Sequence, residues 1–120
     1  MPLLITTLVI VLVFVFLRIN RQARLRWLRQ VDLPGLSVVS LYVPSGSASP
    51  VAQGRKDGFM EPFYDHMAAL RRKRREFIIC ADWNTCHQNI DLKNWRSNRK
   101  NSGFMPHERE WLDRIYDDLK

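Results

Sequence analysis

The chain has 120 residues, enough for one domain with a modest core and little margin if an element is missing. Its 19 Lys and Arg against 12 Asp and Glu leave a formal charge of +7. That balance favours a polyanionic partner, nucleic acid or an anionic membrane surface, with a merely solvated basic surface as the plain alternative. Two cysteines, Cys80 and Cys86, exclude a disulfide framework, and their spacing is neither a zinc nor a redox motif.

The chain opens with an apolar run, PLLITTLVIVLVFVFL, from Pro2 to Leu17, followed by Arg18, Arg21, Arg24, Arg26 and Arg29. A spanning helix needs about 20 apolar residues, and tilt with snorkelling arginines can close the gap. No basic leader or small-residue cleavage site is present, so a secretory signal is not expected. The expectation is a hydrophobic helix with an Arg-rich flank over residues 1–27, outside the domain formed by 28–120. If residues 3–17 enter a membrane, the arginines keep the rest of the chain cytoplasmic.

LSVVSLYVP, Leu36 to Pro44, predicts a strand covered on both faces, because its apolar residues do not strictly alternate. SGSASPVAQGRKDG has the composition of a loop. Phe59, Phe63, Met67 and Leu70 then fall on one helical face, and Pro62 places the helix start near Met60 or Glu61. Arg71, Arg72, Lys73, Arg74 and Arg75 follow, either complementing the helix dipole or attracting a polyanion at long range. FIICA, Phe77 to Ala81, predicts a second buried strand carrying Cys80, so that strand, helix and strand form a βαβ crossover with parallel strands. Both cysteines are expected as reduced thiols of a cytosolic protein, without a disulfide partner. After a polar loop, Pro106 and Glu108 suit a first helical turn. Trp111, Leu112, Ile115, Tyr116 and Leu119 form an apolar stripe for which no later element supplies a partner.

At the end of the second strand stand Asp82 and Asn84, one residue apart. If the backbone stays extended they point the same way, with Trp83 facing the other layer. A carboxylate beside a carboxamide oxygen can hold a hard cation such as Mg²⁺ or position and deprotonate a water. Open α/β sheets place sites at this end of their strands. The competing reading is that Asp82 begins a turn and caps the backbone locally.

From about Leu28 onward the chain resembles the exonuclease III family of AP endonucleases, within the endonuclease/exonuclease/phosphatase superfamily. The resemblance is carried by LSVVSLYVPSGS, ADWNTCHQNIDLKNWRSNRKNSGF and MPHEREWLD, in that family's order. It implies an α/β fold, a central part of a four-layer, DNase I-like sandwich. By the same resemblance Tyr42 stands beside the scissile phosphate. Asp82 activates water or protonates the leaving group, and Asn84 orients phosphate or metal. Both would serve Mg²⁺ or Mn²⁺. Asn94, Asn98 and Asn101 match asparagines that approach the DNA backbone, and Arg96, Arg99 and Lys100 lie among them to neutralise phosphates. The implied partner is double-stranded DNA with abasic sites or 3′ ends.

Ala81 replaces the family's glycine before the aspartate, and Ser45 stands where some members carry Asn or Gln. The family's metal-binding glutamate and its aspartate–histidine segment have no counterpart; Glu61, Glu76, His66, His87 and His107 do not occupy those motif positions. The expectation is therefore a phosphodiesterase fragment of impaired activity, its first 27 residues the mark of an interrupted reading frame or fragment gene. A non-catalytic nucleic-acid binder and a membrane-anchored vestigial protein are the alternatives.

Overall fold

The computed structural model describes residues 28–119, and the hydrophobic helix expected over residues 1–27 lies outside them. Among the described residues no helix is long and apolar enough to cross a membrane. They form a mixed α/β arrangement: β1 (Leu28–Leu33), β2 (Leu36–Tyr42), α1 (Pro50–Arg71), β3 (Glu76–Asp82), a 3-10 turn at Asn89–Asp91, α2 (Trp95–Asn98) and α3 (Pro106–Asp118). Two compact units divide them. One holds the described residues up to Leu41 with Arg74–Ala81, and the other holds Tyr42–Lys73 with the chain from Asp82 onward.

The first unit is the body of a three-stranded sheet in the order β1-β2-β3. β1 pairs antiparallel with β2, Leu33 opposite Leu36, through a turn at Pro34 and Gly35. Gly35 has φ +70, a conformation that suits glycine. β1 was not expected from its mixed composition, although a Pro-Gly pair is a turn signal. Arg75 braces that turn from below, its guanidinium donating to the carbonyls of Leu33 at 2.6 Å and Leu36 at 3.0 Å. One arginine of the basic run is thus a structural donor.

The Glu76 N–H donates to the Gly35 carbonyl just before β2, and the Val43 N–H just after β2 donates to the Asp82 carbonyl. Starts meet starts and ends meet ends, so β2 and β3 run parallel, as the βαβ reading expects. β2 is buried at Ser37, Val39 and Leu41 only, while Ser40 and Tyr42 are exposed. The expected cover on both faces is therefore corrected to one. β3 alternates between half-buried and exposed positions, with Ile78 and Cys80 on the exposed set. The expected buried strand and buried Cys80 are corrected: side chains alternate between the two faces of the strand, and the face that carries Ile78 and Cys80 is open among the described residues.

In the second unit, α1 starts ten residues before the expected point and absorbs Pro50 to Gly58 of the segment read as a loop, while Ser45 to Ser49 stay irregular as expected. Its start is encoded by Ser49, whose hydroxyl accepts the Ala52 N–H at 3.1 Å, and by Pro50 at the first helical position. Pro62 then falls inside the helix, where it removes one backbone donor. Packing compensates. Phe59, Met60, Phe63 and Leu70 are buried together with Trp111, Leu112 and Ile115 of α3. Phe63 and Trp111 lie 6.1 Å apart between ring centroids, and the Trp111 indole donates to the Met60 carbonyl at 2.9 Å. The partner that the sequence did not supply for α3 is α1, an earlier element. Tyr116, placed on the stripe, is exposed.

Candidate functional site

The strand tips belong to the second unit, and the Val43–Asp82 backbone bond of 3.0 Å sets Tyr42 and Asp82 at neighbouring ends. Both side chains are exposed. β3 stops at Asp82, and Asn84 takes φ +45, a left-handed conformation that asparagine adopts more readily than other residues with a side chain. The extended path that was to point Asp82 and Asn84 the same way is therefore not followed. Instead the Asn84 N–H donates to Asp82 Oδ1 at 3.2 Å, the local turn cap that was the competing reading. The Asn84 carboxamide donates to the Val43 carbonyl at 2.7 Å, which engages one of the two hydrogens on its nitrogen. Trp83 turns the other way, as alternation requires, with its ring 6.2 Å from those of Phe63 and Trp111.

Two residues that sequence reasoning missed fasten this corner. Lys56 and Glu108 are both fully buried, and they pair at 3.0 Å. Lys56 Nζ also donates to the Asn84 carbonyl at 2.7 Å. Glu108 accepts from the Gln53 amide at 2.9 Å and from the Gly103 N–H at 2.7 Å. Gly103 itself approaches so closely that a Cβ there would stand 3.1 Å from the Asn84 carbonyl oxygen. Only the helix-start pattern around Pro106 signals Glu108 in the sequence, and Lys56 sits in the stretch read as loop.

The polar stretch after the corner is held by its own residues. The Asn94 carbonyl accepts from Ser97 Oγ at 3.0 Å and Asn98 Nδ2 at 2.8 Å, and Asn98 Oδ1 accepts from Asn101 Nδ2 at 2.9 Å. The three expected asparagines thus form one chain of bonds. Arg96, Arg99 and Lys100 are exposed on it. The guanidinium groups of Arg96 and Arg99 lie 4.7 Å and 5.9 Å from the Trp95 ring centre.

The histidines lie apart from the Asp82 corner in their bonding. His87 pairs with Asp113 at 2.5 Å and His107 with Asp57 at 2.8 Å. Burial pushes the Asp57 carboxyl up, but bonds from His107 and Gln53 outweigh it and hold the group below its ordinary value. His66 is half-buried, and burial, with Lys73 adding repulsion, lowers its pKa. No group of three His, Cys, Asp or Glu able to hold a metal occurs among the described residues. Asp82 and Asn84 offer two hard oxygen donors, which suits a divalent ion that keeps most of its water or takes phosphate oxygens as well.

DNA repair nuclease APEX1 of Danio rerio is 36% identical to the chain over 84 residues, 70% of this chain and 27% of that protein. The exodeoxyribonuclease of Bacillus subtilis is 31% identical over 85 residues, 71% of this chain and 33% of its own length. An AP endonuclease from Archaeoglobus fulgidus superposes with a TM-score of 0.67 over 82% of this chain and 39% of that one. At 19% identity this last likeness speaks for the fold alone. No protein-family model matches. The chain spans about a third or less of the length of the curated relatives it matches.

Proposed function

From the chain's membership of the exonuclease III/AP endonuclease family over part of that family's length, we propose that it carries part of a metal-dependent DNA phosphodiesterase centre. The reading extends to a partial four-layer sandwich and to DNA with abasic sites or 3′ ends as substrate. What carries it is the joining of the two strand tips, where the Val43–Asp82 bond sets the Tyr42 hydroxyphenyl and the Asp82 carboxylate at adjacent exposed positions.

Hydrolysis of a phosphodiester builds negative charge on the phosphoryl oxygens and on the leaving oxygen, and oriented donors and cations stabilise it. In this reading Asp82 takes a proton from the attacking water or returns one to the leaving group. Asn84 orients the phosphate through its carboxamide, and Tyr42 donates its hydroxyl to a phosphate oxygen. Asp82 and Asn84 would hold Mg²⁺ or Mn²⁺, which supplies charge neutralisation at the phosphate when bound. Asn94, Asn98 and Asn101 line the backbone path, and Arg96, Arg99 and Lys100 neutralise flanking phosphates without reading bases.

Incubating the full chain with an abasic duplex and Mg²⁺ tests the proposal. Strand cleavage by the wild type that disappears in Asp82→Ala is the expected result. A chain that binds the duplex with strong salt dependence yet never cuts it favours the second reading, a non-catalytic nucleic-acid binder. That reading draws on the exposed basic stretch.

A further inference from the structure

Two opposite charges withdrawn completely from water need a reason, because desolvating them costs about as much as their attraction returns. Lys56 and Glu108 do more than join α1 to α3. The second contact of Lys56 Nζ is the carbonyl of Asn84, a main-chain oxygen outside any helix or strand. The second oxygen of Glu108 accepts from Gly103 and, at 3.2 Å, from Met105, pinning the loop whose glycine presses on that same carbonyl. The Gly103 carbonyl in turn accepts the Cys86 N–H at 2.8 Å, closing the loop on the far side of Asn84.

The peptide so gripped carries the unusual backbone angle. A left-handed asparagine persists where surrounding contacts over-determine it. Here the contact on its carbonyl comes from a buried ammonium held by a buried carboxylate. With that carbonyl fixed, the Asn84 N–H falls to Asp82 Oδ1 and the Asn84 side chain to the Val43 carbonyl, next to Tyr42. Release of the grip frees the Asn84 carbonyl, φ and ψ of Asn84 can leave the left-handed well, and the Asn84 N–H and side chain then shift against Asp82 Oδ1 and the Val43 carbonyl.

We propose that Lys56 and Glu108 are positioning residues: their buried ion pair holds Asn84 in its left-handed turn and so sets where the Asp82 carboxylate and the Asn84 carboxamide stand. The proposal rests on the reading of this corner as the phosphate site only for its consequence. Its geometry is independent of any reaction, and so is its test.

The full chain, labelled with ¹⁵N and ¹³C, is compared by NMR with Lys56→Met, Lys56→Arg and, as a core control, Leu70→Ala. In Lys56→Met the backbone shifts of Asn84 are expected to leave the left-handed range. Its side-chain amide signals should move well beyond a linewidth while signals of β1 and β2 stay in place. Lys56→Arg, which keeps a buried cation and its donors, should restore both. Leu70→Ala should lower the unfolding midpoint without moving Asn84. Unchanged Asn84 signals in a folded Lys56→Met overturn the proposal, as do changes no larger than those in Leu70→Ala. If Lys56→Met does not fold, Glu108→Gln carries the same readout at nearly unchanged volume, with the same two outcomes. No DNA is present, so absence of cleavage in the wild type bears on the proposed function and leaves this result standing.

Discussion

The corner at residues 82–84 and the stretch from Asn94 to Asn101, which contains α2, belong to one unit and are held in opposite ways. The corner is fastened by distant residues: Lys56 on the Asn84 carbonyl, the Val43 carbonyl on its side chain and Gly103 against its backbone. The stretch fastens itself, each bond reaching only three or four residues along the chain. A site residue on the corner thus inherits its position from the whole unit, whereas a basic residue on the stretch keeps its position when other elements change. The first arrangement suits atoms that must meet a phosphate at fixed distance. The second suits charges that only need to lie along a backbone.

The largest effect that can break this contrast is Lys56→Met. Leaving Glu108 buried without its cation should cost about 3–5 kcal/mol in urea unfolding, far more than any change confined to the stretch. A loss below about 1 kcal/mol would mean that the pair is not the fastening described here. Next comes Asn98→Ala, which removes the bonds to the Asn94 carbonyl and to Asn101. About 1 kcal/mol should be lost, with the Asn84 signals unmoved. If those signals shift, the two segments are coupled and the contrast fails.

Arg99→Ala should change stability by no more than about 0.5 kcal/mol. In fluorescence-anisotropy titrations with duplex DNA it should weaken binding and lower the slope of log affinity against log salt by about one. An unchanged slope would remove Arg99 from the DNA path.

His66 gives the smallest effect. Burial holds its folded pKa below the ordinary histidine value, so the unfolded chain takes up a proton first as pH falls. Stability should drop as pH falls through about 6.5, until His66 protonates in the folded chain as well. His66→Gln should flatten that limb of the curve relative to wild type. Equal slopes would show that burial of His66 does not contribute.

The parallel strands around a helix were legible because β2 and β3 are dense in β-branched and aromatic residues and Phe59, Phe63 and Leu70 recur at helical spacing. The true start of α1 was hidden by Gly54, Gly58 and the Ser-rich lead, each of which argues for a loop. Ser49 and Pro50 carried the opposite signal, and tertiary packing decided between them. The open face of β3 was not legible, because a continuous apolar run such as FIICA reads as covered on both faces. Asp82, Asn84 and the asparagine chain were legible as residue types. The left-handed backbone that joins the first two was not, since it depends on Lys56 and Glu108, charges that periodicity assigns to solvent.

The most direct measurement separates the turn cap that Asp82 forms from the reaction proposed for it. Asp82→Asn keeps an oxygen for the Asn84 N–H and removes the charge. Its unfolding midpoint should match the wild type while Mg²⁺-dependent cleavage of an abasic duplex is lost. Wild-type cleavage that persists undiminished in Asp82→Asn would contradict the claim that this carboxylate belongs to a phosphodiesterase centre.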